Sequence, residues 1–261
     1  MTGVLTATVV VAVVGIFIGI FLGIAAICFH VEVDPREEKI LGILPGNNCG
    51  GCGFPGCLGL AAAIVKGEAK VGGCPVGGEE VANRIAQVMG VEAEVEEKMV
   101  AFVKCQGDCN KTKTDYEYTG TKDCRMLSFV PNGGPKSCNY GCLGYGNCVE
   151  VCSFQAISVV DGIAVVDGEK CGGCGNCVEI CPKNLIELIP YKAQRKVACF
   201  SKDKGPQVIK SCEVGCIGCG ICVKNCPVHA IAMEDSLAKI DYSLCTNCGI
   251  CKEKCPKKAI V

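Results

Sequence analysis

At 261 residues the chain is long enough for several small domains, and its 26 cysteines make up about a tenth of it. A formal net charge of −1 at pH 7 excludes a strongly basic nucleic-acid binder on bulk electrostatics. Cysteine at this density fits a disulfide scaffold, a zinc protein or an iron–sulfur protein. Disulfide scaffolds are short secreted chains whose spacings follow no ligand rule. Here the cysteines recur in tight runs, several of them ending in Cys-Pro. Such runs are what several thiolates need to reach one small cluster from a single loop.

The N-terminus carries no charged side chain through Phe29, and residues 4–29 form a nearly continuous apolar run. About 20 apolar residues span a bilayer core as a helix, so the run predicts one transmembrane anchor over 1–30. A cleaved signal peptide would carry a positive n-region, and residues 1–7 contain no Lys or Arg. Past His30 the flank mixes Glu32, Asp34, Glu37 and Glu38 with Arg36 and Lys39. Counting only Lys and Arg, the side after the anchor is cytoplasmic, which suits a thiolate-rich remainder that needs reducing conditions. The expected location is the cell (inner) membrane, single-pass, with the cysteine domains on the cytoplasmic side. Cys28, at the anchor's end, is read as a small apolar filler.

The first cysteine motif is Cys49-x2-Cys52-x4-Cys57-x16-Cys74, with a helix expected over 58–70 between its last two members. Glycine between ligands lets the backbone wrap closely and turn amides toward the site. Three loop cysteines and one returning after a helix make a closed four-thiolate set. A zinc site is usually built from two Cys-x2-Cys knuckles, and here the second half is a lone Cys-Pro. This stretch resembles the four-cysteine iron–sulfur domain in the B subunit of the Rnf-type ion-translocating ferredoxin:NAD oxidoreductase. Related domains occur in corrinoid-reducing proteins, but a membrane helix directly before the motif is the arrangement typical of the Rnf B subunit.

The second half of the chain is duplicated. Cys138, Cys142, Cys148, Cys152, Cys171, Cys174, Cys177 and Cys181 each have a cysteine 74 residues on, at Cys212, Cys216, Cys222, Cys226, Cys245, Cys248, Cys251 and Cys255. Between the runs of each copy lies a pair of short apolar strands. The pattern resembles the bacterial two-cluster ferredoxin, in which the fourth cysteine of each run serves the other cluster. For the second copy that crossing implies Cys216, Cys219, Cys222 and Cys255 at one cluster, and Cys245, Cys248, Cys251 and Cys226 at its neighbour. In the first copy Tyr145 stands where the second has Cys219. Tyrosine does not substitute routinely for a thiolate, so either this cluster is lost or Cys138 takes the vacant position. The reading favoured is Cys138, Cys142, Cys148 and Cys181 for one site and Cys152, Cys171, Cys174 and Cys177 for the other, a spacing similar to that of Rnf B subunits. Cys105, Cys109, Cys124, Cys199 and Cys212 are left over. Either they are free thiols, or some of them join Cys138 or Cys199 in an additional site.

The expected fold class is α+β: an N-terminal transmembrane helix (1–30), a four-cysteine domain (31–90), a linker with extra cysteines (91–133), and ferredoxin-like domains over 134–198 and 199–261. Five [4Fe–4S] clusters are expected, six if the extra cysteines form a site. No nucleophile–base pair, phosphate loop, flavin motif or dinucleotide fingerprint occurs, so no catalytic residue is assigned and the chain carries electrons rather than performing substrate chemistry. The resemblance implies a subunit of a translocase-type oxidoreductase that passes electrons from reduced ferredoxin toward membrane and flavin-carrying partner subunits, for NAD reduction coupled to Na⁺ or H⁺ transport. The alternatives are a membrane-bound reductive activator of a corrinoid enzyme and a reductase subunit that resets an iron–sulfur regulator. Residues 199–261 carry 9 basic and 6 acidic side chains and are the most cationic part of the chain. Lys202, Lys204, Lys210, Lys224, Lys252, Lys254, Lys257 and Lys258 are therefore expected to steer an acidic soluble ferredoxin.

Overall fold

The computed structural model describes residues 2–28, 34–93 and 97–261. Of the flank that suggests the anchor's orientation, residues 29–33 lie outside the described residues.

Helix α1 (Thr2–Cys28) is 27 residues long. Its described large apolar side chains are exposed, Phe17 at 71 % and Ile27 at 80 % among them. Among the described residues no helix is both long and apolar enough to cross a membrane. The transmembrane expectation thus rests on the sequence of α1.

Three helices form the next unit: α2 (Pro35–Ile43), α3 (Gly56–Lys66) and α4 (Gly78–Met89). Asp34 caps α2, accepting from the Arg36 backbone N–H at 2.8 Å, and Pro35 sits in the first turn, where its missing N–H costs nothing. Helix α3 stops at Gly67, with φ +76°, rather than running on to Lys70 as expected. The left-handed residue lets the Gly67 and Glu68 amides satisfy the last carbonyls of the helix. Ile40, Leu44, Leu60, Ala61, Ile64 and Ile85 form the core of the unit, and Cys52, Cys57 and Cys74 pack against it. Each large side chain so buried contributes about 1.5–3 kcal/mol.

The segment expected to be a linker enters the sheet structure. Strand β1 (Met99–Val103) pairs antiparallel with β4 (Ile186–Pro190), Met99 opposite Pro190 and Val103 opposite Ile186. It therefore belongs to the first ferredoxin-like module.

The two modules repeat element by element. Hairpin β2 (Ile157–Val160)–β3 (Ile163–Val166) corresponds to β5 (Ile231–Glu234)–β6 (Leu237–Ile240). Helix α5 (Asn147–Glu150) corresponds to α8 (Ile221–Lys224), and α6 (Asn176–Ile180) to α9 (Ile250–Lys254). Helix α7 (Gly205–Ser211) opens the second module. Each hairpin turns on two left-handed residues, Asp161–Gly162 and Asp235–Ser236, the two-residue turn that matches strand twist. Against each turn packs a glycine with positive φ: a Cβ on Gly144 would lie 2.4 Å from the Gly162 carbonyl oxygen, and one on Gly218 2.8 Å from that of Ser236. Glycine here lets the cysteine loop close onto the hairpin.

Candidate metal centres

Each centre is a loop rich in left-handed residues followed by a short helix, which brings cysteines together from distant parts of the chain. Every cysteine is a free thiol. In the N-terminal unit Cys52 and Cys57 lie within electrostatic reach of Cys74, whose thiol is pushed up chiefly by burial and also by those two neighbours. Asn48 holds the loop: its Oδ1 accepts from the Cys57 N–H at 2.8 Å.

Four cavities in the two modules are each lined by four cysteines. In the second module one is lined by Cys216, Cys219, Cys222 and Cys255. In the first module one is lined by Cys152, Cys171, Cys174 and Cys177. Both groupings are those expected from the crossing pattern. The remaining set of the second module is placed by packing and proximity. Cys245 and Cys248 are charged neighbours of Cys251, and Cys226 packs into the same core.

The third cavity differs from expectation. Cys142, Cys148 and Cys181 line it, together with Cys124 rather than Cys138. The Cys124 amide donates to Asn147 Oδ1 at 2.7 Å, and Asn147 Nδ2 donates to Asp123 at 3.1 Å. The backbone N–H groups of Tyr145 and Asn147 point at the Cys124 sulfur. Tyr145 thus contributes its amide, while its ring packs toward Tyr118 at 6.3 Å between centroids. Cys138 lines the fourth cavity instead, with Cys105, Cys199 and Cys212. Cys109 is exposed and lines none of the four.

The electrostatics of these thiols follow from crowding in low dielectric. Burial, followed by the neighbouring thiolates of Cys142, Cys124 and Cys181, pushes the Cys148 thiol up to about 12. Burial, then Cys171 and Cys174, does the same to Cys177. Cys222 rises to about 11 through burial and its neighbours Cys216, Cys219 and Cys255. Four thiolates in one such cavity repel one another unless a cationic core sits between them. Backbone amides supply a further stabilising field. The N–H of Ala156, Leu185, Ala230 and Ala259 each donates to the sulfur of the cysteine four residues earlier, at 3.3–3.4 Å. Sequence reasoning did not find these donors, although the alanine recurring four residues after Cys152, Cys226 and Cys255 is a signal of close approach. Among the described residues no group of three or more His, Cys, Asp or Glu side chains is arranged to hold a single metal ion. Each of the four cavities is lined by four cysteines and by no His, Asp or Glu, and such an all-thiolate set suits an iron–sulfur cluster.

The N-terminal unit docks on the first module. Asn176 Nδ2 donates to the Cys49 carbonyl at 3.3 Å, and a Cβ on Gly51 would lie 2.7 Å from the Cys174 carbonyl oxygen. Cys49 is near enough to raise the Cys174 thiol, after burial.

Fold and thiol sets together define a ferredoxin-type protein with several 4Fe–4S domains. Comparison with known families agrees: an Fe-S cluster family matches 44–76, a 4Fe-4S binding domain 164–187, and a 4Fe-4S dicluster domain 215–259. The chain is 48 % identical to the B subunit of the Na(+)-translocating ferredoxin:NAD(+) oxidoreductase complex of Acetobacterium woodii, over 85 % of this chain and 67 % of that one. It is 43 % identical to the B subunit of the ion-translocating oxidoreductase complex of Methanosarcina acetivorans, over 91 % and 90 %. With the B subunit of the proton-translocating ferredoxin:NAD(+) oxidoreductase complex of Clostridium ljungdahlii it shares 45 % identity, over 83 % and 77 %. The chain belongs to the family of B subunits of ion-translocating ferredoxin:NAD(+) oxidoreductase complexes.

Proposed function

We propose that this chain is the electron-carrying subunit of such a complex, taking electrons from reduced ferredoxin and relaying them to partner subunits for NAD reduction coupled to Na⁺ or H⁺ transport. The observation that carries this reading is the docking of the N-terminal four-cysteine unit on the first module, where Asn176 donates to the Cys49 carbonyl and Cys49 lies within electrostatic reach of Cys174. Five [4Fe–4S] clusters would be held by Cys49, Cys52, Cys57 and Cys74; by Cys124, Cys142, Cys148 and Cys181; by Cys152, Cys171, Cys174 and Cys177; by Cys216, Cys219, Cys222 and Cys255; and by Cys226, Cys245, Cys248 and Cys251. When bound, such groups supply one-electron carriage. The chain's own residues do the rest. Thiolates hold each site from two separate runs, so a site closes only when its module folds. Amides aimed at sulfur favour the reduced, more negative state and so raise the potential. Apolar side chains of the module cores exclude water.

Helix α1 serves as the membrane anchor in this reading, on the strength of its uncharged sequence, with the cysteine domains cytoplasmic because Arg36 and Lys39 come after it. Ferredoxin docks on the second module. Lys202, Lys204, Lys210, Lys224, Lys252, Lys254 and Lys258 are exposed there, and their attraction for an acidic partner is screened by salt. The corrinoid-activator and regulator-resetting readings are not favoured, because the likeness to B subunits runs through both modules rather than through the first motif alone. Membranes from cells lacking this chain should lose ferredoxin-driven NAD reduction and regain it on complementation. Reduction that survives the deletion would overturn the proposal.

A further inference from the structure

The fourth cavity lies outside the five sites above, and its geometry points to one more cluster. Its cavity volume, about 20 Å³, equals those of the Cys216 and Cys152 cavities. Its thiols come in equal numbers from both sides of the seam between modules: Cys105 and Cys138 from the first side, Cys199 and Cys212 from the second. Cys199 and Cys212 are buried, each 8 % exposed.

The backbone around the cavity is built symmetrically. Segment 111–115 runs between equivalent stretches of the two modules. On one side Thr112 bridges to Cys212 and Lys113 N donates to the Ser211 carbonyl at 3.1 Å. On the other, Thr114 bridges to Lys136 and Ser137 N donates to the Lys113 carbonyl at 2.9 Å. Ser137 and Ser211 are 74 residues apart, the repeat offset. The sulfurs are met by donors in the same symmetric way. Cys142 N–H donates to Cys105 Sγ at 3.4 Å. Its repeat equivalent, the Cys216 N–H, donates to the Cys199 sulfur. The Thr112 hydroxyl adds a donor to Cys212 Sγ at 3.7 Å.

We propose that Cys105, Cys138, Cys199 and Cys212 hold a sixth [4Fe–4S] cluster that joins the two modules. The inference rests on the electron-carrier reading. At each end the cavity is hydrogen-bonded to the backbone of a cysteine at a neighbouring site, Cys142 on one side and Cys216 on the other. An electron leaving the second module therefore has a stepping stone to the first. The same four thiolates staple the seam mechanically, since neither module alone supplies more than two.

The test is iron and acid-labile sulfide per chain, measured on full-length protein purified without oxygen. Six clusters give roughly 24 iron atoms. Cys105→Ala and Cys212→Ala, taken from opposite sides of the seam, should each lower this to roughly 20. Cys109→Ala, which lies off the cavity, should leave the count intact. Thr112→Val keeps all four thiols, so it should retain the iron and shift the potential of one cluster downward while the others stay put. A wild-type count of roughly 20 that both cysteine substitutions leave unchanged would overturn the sixth site and leave the other five standing. Zinc lost in step with either substitution would overturn it too. A wild-type chain with almost no iron would overturn this inference together with the reading beneath it.

Discussion

The Cys124 backbone N–H donates to Asn147 Oδ1 at 2.7 Å, and this bond fixes the loop that brings Cys124 to the cavity of Cys142, Cys148 and Cys181. Asn147 is 6 % exposed, and the second module has Ile221 at the equivalent position. The second module has no visiting loop to hold, because Cys219 already occupies the place of Tyr145. Replacing Asn147 with Ile should leave the Cys124 amide without its partner, at a cost of about 1–3 kcal/mol. One cluster should then be lost to an iron chelator several-fold faster than in the unaltered chain. Release kinetics that match the wild type would show that Asn147 does not hold the loop.

Removal of Cys124 should be reparable from the repeat. Cys124→Ala is expected to lose about four iron atoms, one cluster's worth. Adding Tyr145→Cys to that variant places a thiol where Cys219 stands in the second module, and the lost iron should return. If Cys138 were the fourth ligand, as its spacing suggested, Cys124→Ala would cost no iron.

The two modules, their hairpins and the cysteines that line the Cys216 and Cys152 cavities were legible because an eight-cysteine recurrence at one offset leaves little freedom in register. That Cys124 rather than Cys138 lines the cavity of Cys142, Cys148 and Cys181 was not legible. Cys138 is nearer in sequence to Cys142, but Lys136 and Ser137 just before it are tied to segment 111–115, which draws it toward the seam. Two local signals did bear on this: the loss of a ligand at Tyr145, and the change from Ile221 to Asn147 in an otherwise repeated helix start. The role of 91–133 was hidden for a similar reason. Strand β1 is five residues of ordinary apolar sequence, and only its partner β4, more than eighty residues on, makes it a strand.

Gly51 packs so closely on Cys174 that a methyl group there would meet the Cys174 carbonyl oxygen at 2.7 Å and its Cα at 2.8 Å. Gly51→Ala should therefore loosen the N-terminal unit from the first module, at a cost of about 1–3 kcal/mol, without removing any thiol. Iron content should be unchanged. Amide hydrogen exchange around Cys49 and Asn176 should quicken, and electron transfer into the N-terminal site should slow. Unchanged exchange at both places would mean that the contact is not a docking interface.

In the metal-free chain, burial holds the thiols of Cys148 and Cys177 up to about 12, against an ordinary value of 9.0. A raised folded value means that the folded state binds these protons more tightly than the unfolded state does. The resulting stability is complete below about pH 9 and is lost as pH rises through about 12. Anaerobic urea unfolding of the metal-free chain should therefore shift to lower urea between those limits. Cluster-loaded chain holds thiolates already and should show no such shift from these groups. Parallel pH profiles for the two forms would contradict this assignment.

The most direct test of the electron-carrier account is to mix the purified, cluster-loaded chain with reduced ferredoxin under anaerobic conditions and follow its visible absorption. The account predicts that the absorption bleaches as electrons enter, that the rate falls steeply as salt is added, and that reversing the charges at Lys252, Lys254 and Lys258 slows it at low salt. A loaded chain that reduced ferredoxin does not bleach would contradict the account.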